Sequence, residues 1–332
     1  MSQIDEINVA LIGAGDHAKR VVVPALNVAG FRVRGVASKT GASAEALAGR
    51  LGARGYSSTL AMLTDLERQI DAVIIVLPPD QYAEPVNSCL ERQLPVYCEK
   101  PVALEPQTLS RLEEHRARVH GVVMVGYMKR FAPGYRRAFE LTQASDFGEP
   151  TALHAYWGMG PGFGTVEYFL CENAVHHLDL ARYLMGEVSA VHVETKMAAP
   201  GSFSVGVLLK FESGAVGTLQ MNTNSWWRQQ NEWLSVTGRG ATVIVDNVDR
   251  CTLLQPNSDS RMSWIPNYTV PLEENSSLSV MGFVPALRHF REVIRDGTPC
   301  ASDLASAIRT TTLAHEIIRR SNKCQADVHE AG

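Results

Sequence analysis

Apolar runs and helical periodicity alternate along the first part of the chain. Short runs rich in β-branched residues predict strands, and the stretches between them, with apolar residues spaced by three and four, predict helices. The predicted strands are Ile7–Ile12, Arg32–Ala37, Asp71–Leu77, a short run around Tyr97, and Val122–Val125. The predicted helices are Ala42–Leu51, Leu60–Glu67, Tyr82–Arg92 and Pro106–His120. Their strict alternation predicts a parallel sheet with right-handed crossovers.

The pattern changes near residue 125. Longer runs with two-residue alternation follow, which is typical of antiparallel strands with one buried face. They are Thr151–Trp157, Val188–Lys196, Ser204–Glu212, Ala215–Asn222 and Glu232–Thr237, and helical patterns return at Phe283–Asp296 and Ser302–Ser321. We predict an α/β domain over 1–125 and an α+β domain with a large, mostly antiparallel open sheet over 126–332. The C-terminal helices are free to pack back on the first domain.

Composition narrows the class of protein. The 332 residues carry 31 Lys and Arg against 35 Asp and Glu, a net charge of −4, so no attraction to nucleic acid or acidic membrane is expected. The start of the chain lacks the features of a signal peptide, and no apolar run approaches the roughly 20 residues of a membrane span. Six scattered cysteines without a CxxC pair indicate reduced thiols. We expect a cytoplasmic protein without a metal.

A glycine loop follows the first predicted strand. It reads Gly13-Ala14-Gly15-Asp16-His17-Ala18, which is GxGxxA at the opening of a helix. In such loops the first glycine permits a tight turn, the second lets the backbone approach a pyrophosphate, and the small third residue lets the helix pack on the strand. Because a strand, a helix and a second strand surround the motif, it predicts a dinucleotide-binding Rossmann domain.

The end of the second predicted strand bears on which dinucleotide is bound. An acidic residue there would accept hydrogen bonds from the ribose 2′-OH of NAD. This chain has Ser38-Lys39-Thr40 instead, whose hydroxyls and cation suit a 2′-phosphate. We predict NADP as the cofactor, with NAD as the alternative; an ordinary solvated Lys39 is the other interpretation. The residues Gly13–His17 of the glycine loop are assigned to the same cofactor site, as are Leu77, Pro78, Glu99 and Lys100 near the ends of later strands.

A lysine stands at the carboxyl edge of the predicted sheet, where open α/β proteins place their ligands. It belongs to the run Cys98-Glu99-Lys100-Pro101, whose Lys-Pro bond can be cis. A lysine beside a cofactor can donate to a substrate oxygen and stabilise negative charge that develops there. Taken alone, the run equally fits a surface lysine before a helix.

A second candidate lies in the helical stretch Glu172–Leu184. Glu172 and His176 are four residues apart, so they are predicted to share a helix face. A histidine can accept a hydroxyl proton near neutral pH, and a carboxylate can orient it. His176 and His177 would point about 100° apart on a helix, which argues against a shared metal. Asp179 is expected to pair with Arg182 at i+3.

Together these motifs resemble the glucose–fructose oxidoreductase / inositol dehydrogenase / rhizopine-catabolism (Gfo/Idh/MocA) family. The resemblance covers nearly the whole chain and rests on five runs: the glycine loop, Pro24-Ala25-Leu26, Glu99-Lys100-Pro101, Tyr127 with Arg130-Phe131-Ala132-Pro133, and His176 with Asp179 and Leu184-Met185-Gly186. It implies NAD(P)-dependent chemistry on sugars or cyclitols, with Lys100, His176 and Glu172 as catalytic residues. Two departures are Tyr82, where the family often has His, and Met128, where it often has Asn; both are expected to line the cleft.

The resemblance leaves three functions open. The leading one is transfer of hydride between the nicotinamide and a secondary hydroxyl or ketone of a sugar, amino sugar or aminocyclitol. The others, also known in this family, are a non-catalytic NAD(P)-sensing regulator and a sugar-transforming enzyme that recycles a tightly bound cofactor, either a glycosidase or a sugar–sugar oxidoreductase. Which of Lys100 and His176 accepts the proton stays open.

The substrate is predicted to be a polar sugar or aminocyclitol that carries no phosphate, with or without amino groups. Between Ala138 and Ala181 there is no Lys or Arg, but there are six acids: Glu140, Asp146, Glu149, Glu167, Glu172 and Asp179. This excess of acids predicts a negative potential on the substrate side of the cleft. The basic residues Arg228, Lys129 and Arg130 argue against it. Tyr127, Arg130, Trp157, Glu172 and His176 are the predicted substrate contacts. All five tryptophans lie in the second domain, where they are candidates to stack on the apolar faces of a sugar; sheet core is the alternative role for most of them. The open sheet face predicts a homodimer or homotetramer.

Overall fold

A computed structural model describes residues 6–162, 164–225, 231–256 and 261–330, the last eight of these by backbone only. The chain forms two compact units. The first runs from the first described residue to Met128 and includes Gly282–Arg309; the second comprises Lys129–Met281 and the chain from Thr310 onward. The segment Gly282–Arg309, from the C-terminal part of the chain, therefore belongs to the first unit.

The first unit is built on a parallel six-stranded sheet with the order β3-β2-β1-β4-β5-β6. The strands are β1 (Ile7–Ile12), β2 (Phe31–Ala37), β3 (Arg54–Tyr56), β4 (Ala72–Ile75), β5 (Val96–Cys98) and β6 (Val123–Val125). All four residues of β4 are buried, as expected for a parallel strand covered on both faces. The strand order reverses between β1 and β4, so their carboxyl ends form the usual ligand-binding edge of such a sheet.

Helices follow the strands of the first unit in the predicted alternation. They are α1 (Val23–Val28), α2 (Gly41–Leu51), α3 (Thr59–Asp65), α4 (Ala83–Leu90), α5 (Pro106–Val119) and α10 (Phe283–Asp296). The last of these packs on the sheet through Phe290, whose ring stacks on Phe31 at 6.3 Å and lies 5.8 Å from Tyr97. This aromatic contact is the physical reason why a segment from the C-terminal part of the chain belongs to the first unit.

The second unit is built on an eight-stranded sheet with the order β14-β13-β12-β11-β7-β10-β9-β8. The strands are β7 (Pro150–Gly158), β8 (Val188–Ala199), β9 (Ser202–Phe211), β10 (Val216–Asn222), β11 (Asn231–Gly238), β12 (Thr242–Asp246), β13 (Arg250–Leu254) and β14 (Arg261–Trp264). Neighbouring strands are antiparallel except β7 and β10, which pair in parallel. The sheet is thus mostly antiparallel, as predicted, and the predicted α/β plus α+β fold class is confirmed.

Helices cover one face of this sheet. They are α6 (Pro133–Thr142), α7 (Val166–Phe169), α8 (Val175–Met185), α9 (Ser277–Val280) and α11 (Leu304–Glu330), of which the residues from Thr310 onward belong to this unit. Inward residues of alternating strands, such as Leu153, Val205 and Leu219, join helix residues such as Leu178 in one apolar core. The opposite face carries exposed side chains, among them Leu208 and Val216.

The described residues contain neither a helix long and apolar enough to cross a membrane nor a group of three or more His, Cys, Asp or Glu side chains placed to hold a metal ion. Cys89, Cys98 and Cys251 are buried free thiols.

Candidate functional site

The glycine loop joins β1 to the first helix of the first unit. Gly13 has a φ of +107°, and a Cβ built there would lie 1.9 Å from the carbonyl oxygen of Val76, so only glycine fits. Gly15 is exposed, with no heavy atom within 4 Å of the position of a Cβ. Ala18, which is fully buried, opens a π-helical turn, Ala18–Val22, that continues into α1. The loop therefore presents open backbone at a helix N-terminus, which fits a pyrophosphate.

The carboxylate of Glu99 lies beside this loop. Its Oε2 is 3.7 Å from Nε2 of His17, and its Oε1 accepts a hydrogen bond from the Tyr97 hydroxyl at 3.3 Å. Glu99 is only 4% exposed. A Cβ at Gly126 would lie 2.7 Å from the Tyr97 hydroxyl and 3.2 Å from both carboxylate oxygens, so a glycine there leaves room for the pair. Glu99 and His17 thus lie side by side next to the glycine loop.

The residues after β2 form the edge at which NAD and NADP are distinguished. Ser38 is half-buried, and its backbone N–H donates to the carbonyl of Tyr56 at 3.2 Å. Lys39 and Thr40 are exposed, and the Thr40 hydroxyl donates to Ser43 at 2.8 Å. The last residue of β2, Ala37, is followed by this run without an acidic side chain.

The turn after β4 is held by a buried tyrosine. The backbone N–H of Leu77 donates to the hydroxyl of Tyr82 at 3.0 Å, and Tyr82 is fully buried. The expectation that Tyr82 lines a cleft is therefore wrong, because its hydroxyl supports the chain from inside. Leu77 is half-buried and Pro78 exposed, which keeps both accessible as predicted cofactor contacts.

Lys100 is the second residue after the end of β5 and is half-buried. The peptide bond between Lys100 and Pro101 is cis. The loop beyond it is tied to the turn after β4, since Oδ1 of Asp80 accepts a hydrogen bond from the backbone N–H of Leu104 at 3.1 Å. Asp80 has a φ of +66°, and sequence reasoning missed it. Lys100 thus lies at the carboxyl end of a strand, in the same unit as the glycine loop.

The predicted helix around His176 has a different geometry from the one expected. Glu172 lies in a π-helical turn, Leu170–Ala174, and α8 begins only at Val175. The prediction that Glu172 and His176 share one face of an α-helix is therefore wrong, because the hydrogen bonds of a π turn have i→i+5 spacing. Single π turns inside helices are frequent at functional sites. Glu172 is half-buried, and His176 is 7% exposed.

Asp179 pairs with Arg130 and not, as expected, with Arg182. Its two carboxylate oxygens accept hydrogen bonds at 2.5 Å from Nε and Nη2 of the buried Arg130, and the Thr310 hydroxyl donates to Oδ1 at 3.0 Å. Arg182 instead pairs with Glu187. The guanidinium of Arg130, a predicted substrate contact, is therefore already bound in two places, a geometry that favours a positioning role over direct contact.

A second buried charge cluster was missed by sequence reasoning. Lys129 Nζ forms an ion pair with Glu232, which also accepts a hydrogen bond at 3.3 Å from the Tyr135 hydroxyl. Nε2 of His177 lies 3.4 Å from the same carboxylate. Burial first, and then the positive charge of Lys129, hold the pKa of His177 well below its usual range. His177 is therefore neutral beside an ionised pair, one residue from His176.

The aromatic residues proposed for sugar stacking are mostly structural. Trp157 is 2% exposed, and its ring stacks at 5.3 Å on Phe169 and at the same distance on His177, so it occupies the core and is not placed to stack on a sugar. Tyr127, the other predicted aromatic contact, is also buried. Trp226, Trp227 and Arg228 lie outside the described residues.

The acids of the stretch 138–181 are partly neutralised. Asp179 is paired with Arg130, and Glu140 lies 3.3 Å from Arg137. Glu167 and Glu172, which precede α8 in the chain, are half-buried. The negative potential predicted from the six acids is thus confined to fewer residues than the sequence count indicates.

Comparison with known proteins covers both units. Residues 7–127 match the description "Oxidoreductase family, NAD-binding Rossmann fold" of the GFO/IDH/MocA family, and residues 135–244 match the GFO/IDH/MocA C-terminal domain. Inositol 2-dehydrogenase 1 of Mycolicibacterium vanbaalenii is 30% identical over 60% of this chain and 59% of its own length. The match thus spans about three-fifths of that curated relative.

Two further proteins are similar over almost the full chain. The scyllo-inositol 2-dehydrogenase (NAD(+)) of Bacillus subtilis is 25% identical over 98% of both chains. The crystal structure of a dehydrogenase from Chromobacterium violaceum has a TM-score of 0.88 at 23% identity and covers 98% of both chains, which supports the fold.

Proposed function

Because this chain belongs to the GFO/IDH/MocA family of oxidoreductases, with its NAD-binding Rossmann fold, we propose that it is an NAD(P)-dependent dehydrogenase or ketoreductase of a sugar or cyclitol. The observation that carries the proposal is the first unit's carboxyl edge, where the open glycine loop and Lys100 follow β1 and β5. Relatives named inositol 2-dehydrogenases support a polyhydroxylated ring as the substrate.

The residues of the chain have separate roles in this proposal. The nicotinamide, when bound, supplies the acceptor or donor of the hydride. The ammonium of Lys100 donates a hydrogen bond to the substrate oxygen and stabilises negative charge there. In oxidation His176 accepts the hydroxyl proton, and Glu172 supports it or the substrate. The buried pair of Arg130 with Asp179, three residues along α8 from His176, holds the helix.

The test of these roles is a pair of single substitutions. General acid–base catalysis typically contributes about 10²- to 10⁴-fold, so Lys100→Met and His176→Ala should each lower kcat by about that factor. Dinucleotide binding, measured by titration calorimetry, should persist in both variants. Near-normal turnover in either variant would contradict its assignment.

The test of the function itself is a panel of sugars, amino sugars and cyclitols, each assayed with NAD and NADP. We expect net formation or consumption of the reduced nicotinamide, followed by its near-ultraviolet absorbance. Turnover of a sugar without any net absorbance change would favour an enzyme that recycles a bound cofactor. Dinucleotide binding without turnover of any substrate would favour a sensor.

The cofactor is proposed to be NADP in preference to NAD. The support is the exposed Lys39 with Ser38 and Thr40 after β2, where no acid is present. Lys39→Asp replaces a cation by a charge that repels the 2′-phosphate, so it should weaken NADP binding far more than NAD binding. A preference of the unmodified protein for NAD by about tenfold or more would contradict this choice.

The substrate is proposed to carry no phosphate and to tolerate or favour an amino group. The guanidinium of Arg130 is bound to Asp179 and is therefore not available to a phosphate, whereas Glu167 and Glu172 are acidic residues that precede α8 in the chain. An arginine fork is the usual partner of a phosphate. A sugar phosphate with a kcat/KM well above that of its uncharged counterpart would refute the proposal.

We also propose that the protein is a homodimer or homotetramer formed through the open face of the eight-stranded sheet. Leu208 and Val216 on that face are about half exposed, at 49% and 50%. Apolar side chains on an open sheet face favour association with a second copy. Light scattering should give a mass of two or four chains, and Leu208→Glu should lower it; a monomer would contradict the proposal. The cytoplasmic location stays a prediction.

A further inference from the structure

One side chain joins the turn after β4 to the loop after β5. Oδ1 of Asp80 accepts a hydrogen bond at 3.1 Å from the backbone N–H of Leu104. Because β4 and β5 pair in parallel, both segments begin at the carboxyl edge of the six-stranded sheet. The carboxylate of Asp80 therefore connects the segment that follows one strand to the segment that follows its neighbour.

Lys100 lies between two points at which its loop is tied to β4 and the turn after it. Before the lysine, the backbone N–H of Glu99 donates to the carbonyl of Ile75, the last residue of β4, at 2.9 Å. After it, Leu104 is held by Asp80. The three residues between the lysine and Leu104 are buried. The place of the lysine relative to β4 is thus fixed by a hydrogen bond on each side of it.

The turn that carries Asp80 is itself held in shape. The backbone N–H of Leu77 donates to the hydroxyl of the fully buried Tyr82 at 3.0 Å, and the backbone N–H of Gln81 donates to the carbonyl of Pro78 at 3.4 Å. Leu77 and Pro78 are also the residues of this turn that we assign to the cofactor site. Asp80 therefore connects the assigned cofactor contacts with the loop of the lysine.

The backbone of Asp80 lies in the left-handed region, with a φ of +66°. Among residues other than glycine, aspartate and asparagine adopt this region most readily. Residues held there against their preference cluster at functional sites, where the surrounding structure over-determines them. At this position asparagine keeps both the conformation and an acceptor oxygen, whereas glycine keeps only the conformation.

We propose that Asp80 is a positioning residue, which sets the place of the Lys100 ammonium relative to the nicotinamide. This rests on the proposed function, since it requires Lys100 to donate to a substrate oxygen beside a nicotinamide that Leu77 and Pro78 contact. Asp80 touches neither reactant and acts through the loop that ends at Leu104. A misplacement of about 1 Å can cost about 10²-fold in rate, so the tie affects turnover more than binding.

Two substitutions of Asp80 separate its hydrogen bond from its backbone conformation. Asp80→Gly suits the positive φ at this exposed position but removes the acceptor, so it should lower kcat by about 10- to 100-fold. Asp80→Asn keeps an acceptor for Leu104 and should turn over at close to the unmodified rate. The assay uses a saturating concentration of the sugar, amino sugar or cyclitol that the unmodified protein turns over fastest. Titration calorimetry with NAD and NADP should give dissociation constants close to those of the unmodified protein for both variants.

Asp71→Gly is the matched control. Oδ2 of the exposed Asp71 accepts a hydrogen bond at 2.8 Å from the backbone N–H of Asn8, so this variant also removes a carboxylate that joins two segments of the first unit. Asp71 precedes the amino end of β4, at the sheet edge opposite the candidate site. Asp71→Gly should lower the melting temperature, measured by circular dichroism, about as much as Asp80→Gly does, and it should keep the unmodified kcat.

A double-mutant cycle with Lys100→Met separates positioning of the lysine from general support of the fold. If Asp80 acts through Lys100, adding Asp80→Gly to Lys100→Met should not lower kcat further, because the lysine is already absent. A role in stability alone would lower kcat by the same factor in both backgrounds.

An unchanged kcat in Asp80→Gly, a loss shared by Asp80→Asn, or an equal further loss in the Lys100→Met background overturns the proposal and leaves the proposed function standing. Absence of turnover of every member of the substrate panel by the unmodified protein overturns both.

Discussion

At the scale of single residues, the two glycines of the phosphate loop have different physical roles. Gly13→Ala would put a methyl group 1.9 Å from the Val76 carbonyl oxygen and force a φ of +107° on alanine. A strained φ alone costs about 1–3 kcal/mol, so we expect a lower melting temperature as well as lost dinucleotide binding. Gly15→Ala meets no atom within 4 Å and should keep the melting temperature while weakening dinucleotide binding. Equal melting temperatures for the two variants would contradict this distinction.

The buried, neutral His177 leads us to predict how the stability of the protein depends on pH. Burial and the charge of Lys129 hold the pKa of His177 well below the usual range, whereas in the unfolded chain its pKa is about 6.5. The unfolded state therefore binds more protons in acid than the folded state does. As the pH falls below about 6.5, the free energy of unfolding that His177 contributes is lost, by up to about 1.4 kcal/mol per pH unit.

Urea unfolding at about pH 7.5 and about pH 5.5 measures that loss. His177→Phe keeps a ring beside Trp157 but cannot be protonated, so it should lose less stability in acid than the unmodified protein. An identical loss in the two proteins would show that His177 does not titrate as described.

At the scale of elements, two buried ion pairs join the first residues of the second unit to its later elements: Lys129 pairs with Glu232 on β11 and Arg130 with Asp179 on α8. Lys129→Met leaves the carboxylate of Glu232 buried without its cation, which should cost about 3–5 kcal/mol of unfolding free energy. The double variant Lys129→Met/Glu232→Gln removes both charges and should recover a large part of that loss. A double variant no more stable than the single one would contradict the pairing.

The elements that sequence reasoning predicted are those with long or regular patterns. It missed β3, which has three residues and no apolar run, and β12–β14, which are short and end in a segment with little alternation. It also treated Glu172–Leu184 as one regular α-helix, because a 3.6-residue pattern does not reveal a π turn.

The residues of the candidate site also divide into those that the sequence predicted and those that it did not. Contiguous motifs such as the glycine loop and Glu99-Lys100-Pro101 were predicted because their chemistry is local. The pairs Lys129–Glu232 and Arg130–Asp179 join residues 103 and 49 positions apart, and a single sequence carries no record of which distant side chains meet.

At the scale of the whole molecule, the central claim is the proposed transfer of hydride between a carbinol carbon of a polyol ring and a nicotinamide. The most direct measurement is isotope transfer. The best substrate from the panel, prepared with deuterium on its ring carbons, is incubated with oxidised cofactor, and the recovered nicotinamide is analysed by mass spectrometry. We expect one deuterium per reduced nicotinamide and none with Lys100→Met at the same incubation time. Reduced nicotinamide without deuterium, or turnover that leaves the nicotinamide unlabelled, would contradict the claim.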